Sequence, residues 1–247
     1  MSEMPEIMLQ ADSLVKQYKQ SDTVITAVNR VGIKVPKGEF VAIIGTSGSG
    51  KSTLLHILAG LDKPNAGSVI VNGTEITKLS HDKLGKFRGE NMGFVFQRHN
   101  LIPQFTALEN ILIPTMMCAK PDMSYQENLR HLVESLDLGD RLSHLPSEMS
   151  GGQCQRVAIA RALINNPDIL MADEPTGALD RKNADEVLNL LLKTREEFGT
   201  TLIMVTHDNS IAERADRIFR MEAGEISLER DYLPGYKPLE VNRTIRR

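Results

Sequence analysis

Gly45-Thr46-Ser47-Gly48-Ser49-Gly50-Lys51-Ser52 matches the pattern G-x-x-x-x-G-K-S at every fixed position. An apolar run, Phe40-Val41-Ala42-Ile43-Ile44, leads into it, and Ser52 to Leu58 has the pattern of a helix leading out. In that strand–loop–helix setting a mere glycine-rich surface turn is the weaker explanation. Glycines let the backbone wrap a polyphosphate closely, and the helix N-terminus adds partial positive charge. Lys51 supplies a full charge on a mobile side chain for the β- and γ-phosphates, and the Ser52 hydroxyl is a hard oxygen ligand for Mg²⁺. Residues Gly45, Thr46, Ser47, Gly48, Ser49, Gly50, Lys51, Ser52 and Thr53 are therefore the expected cradle of a nucleoside triphosphate.

What is done with the triphosphate depends on a second, acidic site. Ile169-Leu170-Met171-Ala172-Asp173-Glu174 supplies it. Four consecutive apolar residues suit a strand buried on both faces of a parallel sheet, so the carboxylates emerge where the strand ends. There Asp173 is placed to hold Mg²⁺ through water, and Glu174 to act as general base on the attacking water. An isolated acidic pair at a strand end is often only solvated loop charge; joined to Lys51 and Ser52 it acquires a catalytic meaning.

Between the two motifs stands Ser150-Gly151-Gly152-Gln153, followed by Gln155-Arg156-Val157-Ala158-Ile159-Ala160-Arg161-Ala162-Leu163. This segment resembles the signature of the ATP-binding cassette ATPases and the helix after it. Further matches follow the family's order from about Leu9 to Gly224: Tyr18 at the adenine-stacking aromatic, Gln97 at the Q-loop, Gly177-Ala178-Leu179-Asp180 at the D-loop and His207 at the switch histidine. The resemblance implies ATP and Mg²⁺ as ligands, with Ser52, Gln97 and Asp173 around the metal. It implies a second cassette as partner, because the family's signature helix points Ser150, Gly152 and Gln153 at the γ-phosphate held by the other protomer. It also implies an α/β fold: a mixed RecA-like core sheet, an antiparallel β subdomain and an inserted α-helical subdomain.

Each match has a plainer alternative. Gln97 is neutral and reaches both a metal and a water, yet a lone Gln after a strand is ordinary loop. His207, just beyond the apolar run Leu202 to Thr206, is placed to bond a γ-phosphate and hold Glu174 in line, or is a structural histidine at a strand end. Tyr18 lies among Lys16, Gln17, Lys19 and Gln20, which suits an exposed ring open to stacking or one with no ligand. Two positions depart from the family pattern. Met149 replaces the usual Leu at similar volume, and Cys154 follows the signature near a helix N-terminus, where a lowered thiol pKa or a passive thiol are both open.

Composition fits an intracellular enzyme: 247 residues, 41% hydrophobic, suffice for one α/β domain with an insert. Cys118 and Cys154 are too few for a disulfide framework, and a net charge of −3 gives no reason to expect nucleic acid. The acidic start Met1-Ser2-Glu3-Met4-Pro5-Glu6 lacks a secretory plan, and no apolar run approaches the ~18 residues needed to span a bilayer. A transport role therefore requires a separate membrane permease; the family resemblance implies that this chain is peripheral, on the cytoplasmic face of a bacterial inner or plasma membrane.

The expected organisation is one domain over 7–227: a nucleotide core from 7–96 and 150–227, a helical subdomain over about 97–149, and an extension over 228–247. Alternation at Val31, Ile33 and Val35 predicts a strand; Leu129, Leu132, Val133 and Leu136, behind a Ser124/Glu127 capping box, predict a helix; Asn183 to Phe198, closed by Gly199, predicts another before a strand at Thr201 to Thr206. The tail, with Pro234, Gly235, Pro238, Arg243, Arg246 and Arg247, is either a loosely docked extension or a basic end for lipid or permease.

Within the cassette family, Asn100-Leu101-Ile102-Pro103, Thr106-Ala107-Leu108-Glu109-Asn110 and Ala172 to Asp180 look like the branch of macrolide-export, lipoprotein-release and bacitracin-resistance ATPases. The groove for a permease is expected near Gln97 to Glu109, with Arg98, Leu101 and Pro103 as contacts or as subdomain core. The alternatives are a cassette signalling across the membrane in cell division, and a soluble cassette in repair or translation. A small-molecule kinase leaves Ser150 to Gln153 and His207 unexplained.

Overall fold

The structure, a computed structural model, describes residues 5–20, 23–116, 125–177 and 179–231. Ser124 of the expected capping box, Cys118, Ala178 and the tail residues Pro234, Gly235, Pro238, Arg243, Arg246 and Arg247 lie outside them. Besides short 3-10 turns the elements in chain order are β1 (Ile7–Gln20), β2 (Thr23–Pro36), β3 (Phe40–Ile44), α1 (Lys51–Leu58), β4 (Ala66–Val71), β5 (Thr74–Glu75), α2 (His81–Asn91), β6 (Met92–Phe96), α3 (Ala107–Met116), α4 (Tyr125–Ser135), α5 (Gly151–Leu163), β7 (Ile169–Asp173), α6 (Arg181–Phe198), β8 (Thr201–Val205), α7 (Asn209–Ala212), β9 (Arg217–Glu222) and β10 (Glu225–Asp231). They form two compact units, divided after Lys78 and after Thr206.

The first unit holds an antiparallel sheet of order β2-β1-β4-β5 and a second set in which β9 pairs parallel with β3 and antiparallel with β10. Val31, Ile33 and Val35 are buried on one face of β2, as the alternation requires. All five residues of β3 are buried, which is why it carries an unbroken apolar run. At its start Arg217 forms a buried two-bond ion pair with Glu39 and donates to the Lys34 carbonyl at 2.6 Å. Burial pushes the Glu39 carboxyl up, and the Arg217 guanidinium works against that rise.

Strand β10 runs past the expected core boundary at Ser227, as far as Asp231. It goes on pairing with β9 that far, across a register shift between Leu228 and Arg230, with Asp231 opposite Arg217, and Arg220 makes a bidentate pair with Glu229 at 2.6 and 2.9 Å.

In the second unit β6, β7 and β8 run parallel, with Phe96 opposite Asp173 and Asp173 opposite Val205. The helices after Phe96 cluster with these strands because α5 packs on α3, α4, α6 and β6. The closest approach is at Gly93, where a Cβ would lie 2.3 Å from the Ala162 carbonyl oxygen. On α4, Leu132 and the following Leu136 are fully buried while Leu129 and Val133 are half-buried, so the i, i+3, i+4, i+7 stripe faces the interior. Helix α6 starts at Arg181, two residues before the expected Asn183, because the Asp180 carboxylate caps it by accepting from Asn183 N at 3.1 Å; Gly199, at φ 63°, closes it.

Candidate functional site

The phosphate-type loop joins β3 to α1 in the first unit. Gly45 has φ 152°, and a Cβ there would lie 2.2 Å from the Met221 carbonyl oxygen; Gly50, at φ 105° on the N-cap of α1, would place one 2.1 Å from the Ala27 carbonyl oxygen. Both positions therefore admit only glycine. Thr46, Ser47 and Gly48 are exposed, so the loop's outer backbone faces solvent. Lys51 is buried, and its Nζ donates to the carbonyls of Gly45 at 3.0 Å and Thr46 at 2.9 Å. Beside it the Ser49 hydroxyl is buried with no hydrogen-bond partner, an orphan that an incoming phosphate oxygen would satisfy. Ser52 and Thr53, half-buried, open α1.

The acidic half belongs to the second unit, at the C-terminal ends of its parallel strands. Gln97 follows β6, Asp173 ends β7, and Glu174 bends away at φ 45° with its N–H donating to the Val205 carbonyl at 2.9 Å. Gly177 shows where the two long side chains go. A Cβ on it would lie 2.7 Å from Gln97 Nε2 and 3.3 Å from Glu174 Oε2, so amide and carboxylate converge on one backbone position. His207 comes two residues after the end of β8, exposed and next to Asp208, which caps α7 by accepting from Ser210 N at 2.8 Å. Hydrogen bonds from Ser210 hold the Asp208 carboxyl below the usual carboxylate range.

No group of three or more His, Cys, Asp or Glu among the described residues is arranged to hold a metal. The expected Mg²⁺ set is of another kind: a hydroxyl (Ser52), an amide oxygen (Gln97) and one carboxylate (Asp173) are hard oxygen donors of the sort Mg²⁺ accepts beside substrate phosphates.

Ser150 is the N-cap of α5. Its hydroxyl accepts from Gln153 N at 3.3 Å, and the Gln153 side-chain oxygen accepts from Ser150 N at 2.9 Å. The two expected ligand residues thus fix each other, and the first turn of α5, with Gly151 exposed, is left uncovered. A polar cleft of about 270 Å³ opens beside it, lined by Gly152, Gln153, Arg156 and Asn183 among others. Asp180 is placed in this region by its cap on α6, since Gly152 packs near Asn183. Cys154 is buried with its Sγ 3.6 Å from the Pro146 carbonyl, and burial pushes the thiol up; the helix N-terminus does not activate it.

The Tyr18 ring is exposed as expected, at 42%. Its hydroxyl donates to Asp62 Oδ2 at 2.8 Å, a contact that nothing in the sequence marks. The sequence is equally silent on two polar residues that shape the segment after Gln97. Arg161 donates to the carbonyls of His99 at 2.6 Å and Asn100 at 2.7 Å, both residues at positive φ. Asn110, fully buried, bonds Ile102 N at 2.8 Å and the carbonyls of Ile102, Phe105 and Thr106 at 3.0 to 3.1 Å. A buried Asn in the first turn of a helix was the one available signal. Of the expected contact residues, Arg98 and Pro103 are exposed and Leu101 is half-buried; the apolar side chains turned outward are instead Ile102 and Phe105, at 37% and 39%.

Known proteins match this arrangement over nearly its whole length. The family model of the ABC transporter matches residues 28–177. The lipoprotein-releasing system ATP-binding protein LolD of Shewanella sp. (strain MR-7) is 43% identical over 221 residues, covering 90% of this chain and 96% of that protein. LolD of Shewanella oneidensis is 43% identical over 225 residues, 91% of this chain and 98% of that one. Among solved structures, the dimeric post-hydrolysis state of the ATP-binding cassette MJ0796 bound to ADP and Pi superposes with a TM-score of 0.84 at 42% identity, covering 92% of this chain and 99% of its own. CbiO1 from Clostridium perfringens, part of the complex cbiONQ, gives 0.78 at 28% identity over 90% of this chain and 88% of its own. The chain belongs to the ABC transporter family, as an ATP-binding and ATP-hydrolysing cassette.

Proposed function

We propose that this cassette is the ATPase of a bacterial export or extraction complex of the lipoprotein-releasing kind. It would act as a homodimer on the cytoplasmic face of the inner or plasma membrane, through a separate permease. The observation that carries the catalytic part is the meeting of the Gln97 amide and the Glu174 carboxylate over Gly177, beside Asp173. Glu174 accepts the proton of the attacking water, while Gln97 and His207 orient that water and the γ-phosphate. Lys51 exchanges the Gly45 and Thr46 carbonyls for phosphate oxygens, and the backbone of Gly45 to Ser52 with Thr53 encloses them. Ser52, Asp173 and Gln97 would hold Mg²⁺, which would supply positive charge to the phosphate oxygens. Tyr18 stacks on the adenine.

Ser150, Gly152 and Gln153 present the N-terminus of α5 to the nucleotide of a second protomer, with Asp180 alongside; the uncovered first turn of α5 supports this. The dimeric MJ0796 cassette supports the homodimer, and the LolD relatives support lipoprotein release as the cargo class. No helix of the described residues is long and apolar enough to cross a membrane, which is why the proposal needs a permease. Its docking surface is the segment 97–109, with Arg98, Ile102, Pro103 and Phe105 outward.

The test uses a tagged Glu174→Gln variant, locked with ATP and Mg²⁺, recovered from detergent-solubilised membranes and analysed by mass spectrometry. Co-purification of a permease with a large extracytoplasmic domain is the expected result. A soluble partner alone, or none, overturns the assignment to export and extraction. Light scattering on the same variant should show a dimer in saturating ATP; a monomer removes the shared-nucleotide arrangement.

A further inference from the structure

Tyr18 stands near the end of β1 with an aromatic ring that neighbouring strands do not cover, and such a ring swings about χ1 and χ2 unless something holds its tip. Its hydroxyl meets Asp62 and Thr53, and its face meets Lys16. The hydroxyl donates to Asp62 Oδ2 at 2.8 Å. The other oxygen of that carboxylate, Oδ1, accepts from Lys16 Nζ at 2.6 Å, and the same ammonium donates to the Lys63 carbonyl at 2.8 Å. Lys16 Nζ then sits over the Tyr18 ring, 5.1 Å from its centroid, where a cation is attracted to the π-face. Lys16 takes one face, and Tyr18 as a whole keeps 42% of its surface exposed.

Asp62 has a fixed place of its own. It lies four residues past the end of α1, and the N–H groups of Leu61 and Asp62 both donate to the His56 carbonyl, at 2.8 and 3.2 Å, so the chain is folded back on the helix. The next turn is sewn to β1 by Asn65 N to the Val15 carbonyl and Gln17 N to Asn65 Oδ1, both 2.7 Å. Helix α1 thus begins in the phosphate loop at Lys51 and ends beside the carboxylate that grips Tyr18. Burial acts to raise the Asp62 carboxyl, but the hydrogen bonds from Lys16 and Tyr18 outweigh it and hold the group below its ordinary range, so it is ionised at neutral pH.

We infer that Asp62, with Lys16, is a positioning residue for nucleotide recognition: it fixes the Tyr18 ring against the first turn of α1, where the hydroxyl also meets Thr53, so that the base platform keeps a set place beside the phosphate loop. The inference rests on the assignment of Tyr18 as the base platform. Its effect is confined to ligands that carry a base. Inorganic tripolyphosphate, which has none, must be bound equally well with or without the tether.

The full-length chain is titrated calorimetrically with ATP and, separately, with tripolyphosphate in the presence of Mg²⁺. Base stacking on an aromatic is worth enough for Tyr18→Ala to weaken ATP by roughly ten- to a hundredfold while sparing tripolyphosphate. Tyr18→Phe keeps the ring and loses only its tether, and Asp62→Ala removes the carboxylate; each should weaken ATP about three- to tenfold with tripolyphosphate unchanged. Asp62→Asn, which retains an acceptor for the phenol, should recover part of that loss, and Asp62→Ala in a Tyr18→Phe background should add little to it. Equal losses for both ligands would mean a general disturbance of α1 and overturn the positioning role, as would unchanged ATP affinity in Tyr18→Phe and Asp62→Ala. If Tyr18→Ala itself leaves the ratio of the two affinities unchanged, the base-platform assignment fails first.

Discussion

Replacing Gly177 by alanine isolates one geometric element of the catalytic proposal. The added methyl would lie 2.7 Å from Gln97 Nε2 and 3.3 Å from Glu174 Oε2, whereas ordinary contact begins at 3.4 Å. The amide must therefore retreat by about 0.7 Å (3.4 − 2.7) and the carboxylate by only about 0.1 Å (3.4 − 3.3). Gly177 does not sit at positive φ, so alanine is not strained there, and the atoms that yield are the far ends of flexible side chains. Stability should stay within about 0.5 kcal/mol of wild type. A catalytic group displaced by about 1 Å costs on the order of a hundredfold, so kcat should fall roughly ten- to a hundredfold with ATP affinity little changed. Steady-state phosphate release at saturating ATP, read beside a thermal melt and an equilibrium titration, measures all three. A folded variant with wild-type kcat would refute the claim that Gln97 acts from this position.

Removing one member of the buried Arg217–Glu39 pair strands the other: Arg217→Met should cost about 3–5 kcal/mol in urea denaturation, and adding Glu39→Leu should return much of it. Gly93→Ala, whose methyl would be 2.3 Å from the Ala162 carbonyl oxygen, should destabilise by about 1–3 kcal/mol and show as a lowered Tm. Because burial raises the Cys154 thiol, iodoacetamide should label it slowly at pH 8 in the folded chain and mild peroxide should leave ATPase activity intact; rapid labelling would contradict the burial. The Asp208 carboxyl is held below its unfolded value, so its contribution to stability is full above the ordinary carboxylate pKa and is lost as pH falls through the depressed one. Ser210→Ala should flatten that part of the acid-unfolding curve.

Much of the fold was legible because its signals are local. A run such as Phe40 to Ile44 announces a strand buried on both faces, and Gly45 and Gly50 are glycines for reasons the loop itself imposes, though the colliding oxygens, on Met221 and Ala27, come from distant segments. The capping by Ser150 and Asp180 likewise depends on residues three positions on. What escaped is long-range and polar. Asp62 is 44 positions from Tyr18, Arg161 is 61 from Asn100 and Arg217 is 178 from Glu39, and neither periodicity nor composition marks such pairs. Burial adds two details that no pattern carries: the Lys51 ammonium lies on the carbonyls of Gly45 and Thr46, and Leu101, open between partner contact and subdomain core, is half-buried while Ile102 and Phe105 turn outward.

The grip of Arg161 on His99 and Asn100 makes α5 a stiff rod with a load at each end. Arg161 stands eleven positions after Ser150, about 16.5 Å of helix at 1.5 Å per residue. A helix of that length resists bending far more than the loops around it, so a push on the segment after Gln97 is delivered at the other end as a displacement of the same order. The guanidinium is the joint, and because both of its bonds go to backbone carbonyls, what it transmits is set by the path of the chain and not by which side chains happen to face outward there. The outward residues of that segment can therefore drift to suit a new partner without slackening the linkage.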